Sequence, residues 1–148
     1  MDKLKMNEQT IHIFIDGKRT AASPGETVLT VARRIGIYIP TLCYHEALEN
    51  VGACRLCLVE AIRTEQPEKP MIVTSCEYPV EDGLVVNTRT DRVLQQRRTI
   101  LSLLAARCPD AEIIKTMADE EGGLLDYKRF KGHDNCIMCT LCTRSCAA

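Results

Sequence analysis

The chain has 148 residues, 45% of them apolar, with 19 basic and 20 acidic side chains and a net charge of −1. That length suits one domain or two small ones, and the balanced charge gives no field that would gather nucleic acid or an anionic membrane. Aromatic residues make up only 4% and Trp is absent, so any core must rest on Ile, Val and Leu.

In chain order, residues 1–9 are polar and are expected to form a frayed arm, without the apolar stretch of a secretory signal. Ile11, Ile13 and Ile15 alternate with His12 and Phe14, the period of a strand. His12 reads as a surface or half-buried side chain rather than a ligand. Asp16-Gly17 is a two-residue hairpin signal, and Lys18–Ala22 returns as the second strand. Thr27 caps a helix carrying Val28, Leu29, Ala32 and Ile35, with Gly36 just past its end. Ile37–Pro40 is extended, because a residue before proline avoids the helical region. A loop follows to Cys57. Strands are then predicted at Leu58–Arg63, Met71–Cys76 and Leu84–Val86, with an exposed loop at Thr64–Pro70. Thr90 and Asp91 open a helix with an apolar face of Val93, Leu94, Ile100, Leu101 and Leu104. Arg92, Arg97 and Arg98 form its basic side, read as a solvated face or a dock for an acidic partner. Asp110 is expected to cap a further helix running through Glu121, with Ile113, Ile114 and Met117 on one face and Gly122-Gly123 closing it.

Nine cysteines carry the chemistry. With no signal sequence the expected location is cytoplasmic, where thiols stay reduced, so dense cysteine points to metal rather than disulfides. The odd number suits eight ligands and one bystander. Cys43, Cys54, Cys57 and Cys76 form C-x10-C-x2-C-x18-C, a thiolate set that a [2Fe-2S] cluster requires. A structural zinc site also takes four thiolates and stands as the alternative. Gly52-Ala53 are small residues that let backbone N–H groups approach cluster sulfurs. Cys136, Cys139, Cys142 and Cys146 form C-x2-C-x2-C-x3-C, the bacterial-ferredoxin run for [4Fe-4S] clusters. In that run the last cysteine serves the other cluster of a pair, and no second run follows Cys146. A second run beyond Ala148, a ligand from a partner subunit, or a lone cluster completed by Cys146 or Cys108 would each supply what is missing. Ala147, where a proline often stands, favours the first. His133, three residues before Cys136, reads as exposed, with tuning of the cluster as the alternative.

The order strand, strand, helix, ligand loop, strand, strand, strand resembles the β-grasp fold of [2Fe-2S] ferredoxins. The long gap before Cys54-Arg55-Leu56-Cys57 is unlike free-standing plant-type ferredoxins and resembles the N-terminal domain of the large iron–sulfur subunit of NADH:quinone oxidoreductase. Related domains occur in [FeFe]-hydrogenases and in NAD-linked hydrogenase and formate dehydrogenase subunits. The interval before Cys76 is longer than usual for that family, and the extra length falls at Pro67–Pro70. The family usually adds a histidine and three cysteines for a further [4Fe-4S] cluster. Here Cys108 stands without them, so that cluster is expected to be missing and Cys108 to be a free thiol. The resemblance implies an α+β chain: a β-grasp [2Fe-2S] domain at 10–88, a two-helix connector at 89–123 and a [4Fe-4S] motif at 124–148.

No G-x-G-x-x-G, G-x-x-x-x-G-K, G-x-S-x-G or H-E-x-x-H occurs, so no nucleotide cradle, nucleophile elbow or zinc-protease helix is predicted. The longest mostly apolar stretch, Ile100–Ala106, is too short to span a bilayer. The expected role is electron relay without catalysis. By resemblance, flavin/NAD-binding and catalytic-metal subunits are the partners, with neither nucleic acid nor membrane insertion involved.

Overall fold

A computed structural model of the chain describes residues 10–123 and 136–147. The readings for the N-terminal arm and for His133 lie outside those residues. Strand β1 (Ile11–Ile15) pairs antiparallel with β2 (Lys18–Ala22) across the Asp16-Gly17 turn, where both residues take positive φ, +50° and +79°. That is the hairpin turn whose twist matches the flanking strands. Helix α1 (Val28–Arg34) follows, with the Thr27 hydroxyl accepting from the Thr30 amide. The α1 C-terminus closes with Gly36 N–H to Arg33 O and Ile37 N–H to Ala32 O, the Schellman pair. Strands β3 (Leu58–Ile62), β4 (Met71–Thr74) and β5 (Val85–Asn87) complete a five-stranded sheet of order β2-β1-β5-β3-β4. Only β1 and β5 run parallel; the other pairs are antiparallel. This is the β-grasp arrangement.

Apolar alternation explains which face is buried. Ile13, Ile15, Val59, Ala61 and Val86 point into one core with Val28, Leu29, Val31 and Ala32 of α1, while Phe14 faces out. His12 is half-buried, and its backbone N–H, not its ring, donates to Asp82 at 2.8 Å.

The parallel β1–β5 seam is locked by one side chain. Asp16 accepts from the Thr88 amide at 2.7 Å and from the Thr88 hydroxyl at 2.6 Å, and Thr88 is buried. Asp16→Ala leaves both donors unpaired and puts a Cβ-bearing apolar residue at φ +50°. It is expected to lower stability by about 1–3 kcal/mol. Asp16→Asn, which tolerates that conformation and keeps an acceptor, should lose less than half as much in thermal unfolding followed by circular dichroism.

Helix α2 (Asp91–Arg107) starts at a Thr90 cap that accepts from the Val93 amide, and α3 (Glu112–Glu120) packs against it. Three expectations for these helices fail. Asp110 is not the α3 cap: Ala111 holds that position, makes no side-chain cap, and the helix begins two residues beyond Asp110. Ile113 is exposed, and the buried stripe is Ile114, Met117 and Ala118. Ile114, Met117 and Ala118 share one side of the helix, and Ile113 lies past its edge. Arg97 is also misread by sequence. It is neither solvated nor available to a partner, but fully buried, as the i+4 neighbour of Val93 and the i−4 neighbour of Leu101. Among the described residues no helix is long and apolar enough to cross a membrane.

Candidate iron–sulfur centre

The β3–β4 hairpin builds half of the site. Its register sets Leu58 opposite Thr74, and the Ser75 amide donates to the Cys57 carbonyl at 3.0 Å. Cys57 at the start of β3 and Cys76 just past β4 therefore meet at one end of the ladder. The long interval between them is spent at the other end, in the exposed residues 63–70. Four strand residues at about 3.3 Å each separate that loop from the sulfurs, so its extra length leaves the ligand end undisturbed.

The loop from Thr41 to Leu56 brings the other half. Arg33, in the last turn of α1, donates to the Thr41 hydroxyl at 3.0 Å and stacks its guanidinium 4.3 Å from the Tyr44 ring, which fixes the backbone around Cys43. The Asn50 side-chain amide donates to the Cys76 carbonyl at 2.6 Å and ties the loop to the hairpin end. Gly52 sits at φ +53°, the left-handed region that favours glycine, with a Glu77 carboxylate oxygen 1.9 Å from where a Cβ would stand. Arg55, between the paired cysteines, adopts φ +57°.

The four thiols fall into two interacting pairs. The Cys54 amide donates to Cys43 Sγ at 3.4 Å. Burial pushes the Cys43 thiol up, and the Cys54 amide's hydrogen bond works against that rise. Across the site, the hydrogen bond from Cys76 pulls Cys57 down to about 6 against the opposing effect of its burial. The same contact, together with burial and the charges of Cys57 and Cys43, pushes Cys76 up. Cys43, Cys57 and Cys76 are buried and Cys54 is half-buried. Among the described residues no three His, Cys, Asp or Glu side chains converge as on a single ion. Two pairs side by side are what a binuclear centre with two thiolates on each iron asks for. The Ser75 hydroxyl, fully buried next to Cys76, is turned toward the Cys57 sulfur and favours its thiolate. A buried hydroxyl donor beside these sulfurs suits a site that gathers negative charge on sulfur. The donor set thus fits a [2Fe-2S] cluster.

The second run lies against this site. Cys136, Cys142 and Cys146 are exposed and Cys139 is half-buried. Met138 and Thr140, at φ +52° and +61°, curl the chain on both sides of Cys139. Helix α4 (Leu141–Ala147) carries Cys142 and Cys146 four residues apart on one face. Cys139 and Ile137 pack on the same apolar cluster as Cys54, around Leu42, Leu56, Leu101, Ile114 and Met117. Arg144 of α4 donates to the Glu49 carbonyl at 2.6 Å and, through Nη2, to the Cys43 carbonyl. Cys108, expected to be a free thiol, is buried, and its Sγ–H donates to the Cys136 carbonyl at 3.0 Å. Sequence reasoning singled out eight of the nine cysteines as ligands but missed Asn50, Ser75 and Arg144, whose roles depend on closure between distant segments. For Arg144 a signal existed: its place inside the cysteine run.

The comparisons with known proteins agree with this geometry. A family described as a 2Fe-2S iron-sulfur cluster binding domain matches residues 8–91. The chain is 30% identical to the NADH-ubiquinone oxidoreductase 75 kDa subunit of Reclinomonas americana over 90% of its own length and 22% of that protein. It is 34% identical to the NADP-reducing hydrogenase subunit HndD of Solidesulfovibrio fructosivorans, over 90% of this chain and 27% of that one. It thus spans about a quarter of the length of these relatives. A chain in a crystal structure of an NAD+-reducing [NiFe]-hydrogenase in the H2-reduced state superposes with a TM-score of 0.79 at 29% identity, covering 93% of this chain and 66% of that one. The match spans β1 through the start of α2, the segment that holds the two thiol pairs, and it carries the conclusion that the chain belongs to the 2Fe-2S iron-sulfur cluster binding domain family.

Proposed function

We propose that this chain is an electron-relay component of a larger oxidoreductase complex. Cys43, Cys54, Cys57 and Cys76 hold a [2Fe-2S] cluster, and the run Cys136, Cys139, Cys142 and Cys146 supplies ligands to a [4Fe-4S] cluster. Three parts carry these roles: the β-grasp unit at 10–88, the helical connector at 89–123 and the motif at 124–148. The clusters supply one-electron oxidation and reduction, with potentials set by charge and hydrogen bonding around the sulfurs.

The protein's own residues do three things. The hairpin end and the Asn50 clamp fix the sulfurs in pairs. Burial of Cys43, Cys57 and Cys76 keeps water from the site. Arg144 and the apolar cluster shared by Cys54 and Cys139 hold the two motifs in contact. That shared cluster is the observation that carries the reading, because a relay needs adjacent redox centres and a structural metal module does not. Partner subunits binding flavin and NAD, and a catalytic metal centre elsewhere in the complex, fit relatives named for NADH oxidation and NADP-linked hydrogen chemistry. Nine cysteines in 148 residues fit a reducing, cytoplasmic setting.

The test is iron and acid-labile sulfide analysis of anaerobically purified protein, with EPR of the reduced state. Two distinct iron–sulfur signals are expected. Bound zinc without labile sulfide would sink the reading in favour of a structural zinc module. A further expected result concerns the clamp. Arg144→Met removes both hydrogen bonds to the loop, so iron content should stay unchanged while the magnetic interaction between the two reduced clusters weakens in low-temperature EPR.

A further inference from the structure

Arg97 lies directly behind the two-iron site. Its guanidinium Nη2 donates to the Leu58 carbonyl at 2.6 Å, one residue from Cys57. Its Nη1 donates to both carboxylate oxygens of Glu121, at 3.4 and 3.3 Å, and both side chains are fully buried. Half-exposed Arg89 reaches Glu121 at 3.4 Å from the solvent side. From the sulfurs outward the order is therefore cation, carboxylate, second cation.

Stability alone does not explain this arrangement. Apolar side chains of similar volume usually serve a buried position as well as an ion pair or better, and Val93 and Leu101 already pack α2 into its neighbours. Arg97 Nε is also buried without a hydrogen-bond partner among the described residues, which no optimised strut would leave. Burial opposes the charge on Arg97, and Glu121 is the chief group that sustains it. What an oriented pair supplies, and apolar packing cannot, is a fixed local potential.

We propose that the Arg97–Glu121 pair sets the reduction potential of the two-iron centre: the inner cation favours the reduced state and the outer carboxylate trims that effect. The step is the gain of one electron by the cluster, with no bond made or broken and no proton transferred. The proposal rests on the reading that Cys43, Cys54, Cys57 and Cys76 hold a [2Fe-2S] cluster.

EPR-monitored redox titration of the full-length, cluster-loaded protein tests it. Glu121→Gln removes the carboxylate and should move the midpoint of the two-iron signal upward. The double variant Arg97→Met/Glu121→Leu removes the inner cation with its partner and should move it downward. A shift of roughly tenfold in the oxidised-to-reduced ratio, about 59 mV for one electron, is the scale expected of a nearby buried charge. Loosening of the site would displace both variants in the same direction, so opposite signs mark electrostatic control. If Glu121→Gln fails to fold, the double variant decides: a midpoint below wild type with iron content and two-iron EPR line shape unchanged supports the proposal, and a lower midpoint with an altered line shape, the mark of a loosened site, overturns it. Midpoints equal to wild type, or shifts of one sign in both variants, overturn it. A wild-type protein with no two-iron signal overturns the cluster reading itself.

Discussion

Replacing Cys57 with Ser is expected to abolish or grossly alter the two-iron EPR signal while the signal of the C-terminal run persists. Cys57 is only 1% exposed, sits at the fixed end of the β3–β4 ladder and contacts Cys76. A serine hydroxyl there is a far weaker ligand than a thiolate, because it does not ionise near neutral pH whereas Cys57 is poised to do so at about 6. The two motifs touch through the Arg144 clamp and shared apolar residues rather than through shared sulfurs, so damage should stay local. Cys54→Ser should behave alike, since its partner Cys43 lies in the same loop. Cys108→Ser serves as control: it keeps a donor for the Cys136 carbonyl and should leave both signals in place. An unchanged two-iron signal in Cys57→Ser, or loss of the C-terminal signal with it, would refute the ligand assignment.

The elements that sequence located are those governed by local rules. The alternation of Ile11, Ile13 and Ile15, the Asp16-Gly17 turn and the Thr27 and Thr90 caps each depend on a few adjacent residues, and each stands as expected. Their order along the chain resembled a β-grasp, whereas the sheet order β2-β1-β5-β3-β4 is a tertiary fact. Cysteine spacing located the sulfurs but not their pairing. Pairing depends on the β3–β4 register and on where the loop from Thr41 closes, and both are tertiary facts. The α3 start went wrong because Asp110 is a good cap by type, yet the chain leaving α2 at Cys108 holds the cap position at Ala111. Arg97 was the largest error. A charged residue in the middle of an amphipathic helix reads as surface, and only its spacing from Val93 and Leu101 betrayed it. Residues of that type are buried almost solely when paired, and its partner lies 24 positions away at the end of α3.

That pairing makes Arg97→Met the largest expected change in stability outside the cysteines. The variant leaves Glu121 buried with its carboxylate facing apolar neighbours, and half-exposed Arg89 alone cannot replace the lost donors. Breaking a buried pair from one side typically costs about 3–5 kcal/mol, a large share of the roughly 5–15 kcal/mol by which a domain is held folded. For a chain of this size the unfolding midpoint should fall by roughly 10 °C or more. Arg97→Met/Glu121→Leu removes both charges and should recover most of that loss, because apolar residues fill the space between α2, α3 and β3 without a desolvation penalty. The measurement is thermal unfolding by circular dichroism under anaerobic conditions for wild type, both single variants and the double. A strong favourable coupling between the two positions is required. Should Arg97→Met melt with the wild type, or the double variant prove as unstable as the single, the buried charge would not be what holds α3 against the sheet, and packing by Ile114, Met117 and Leu101 would carry that role instead.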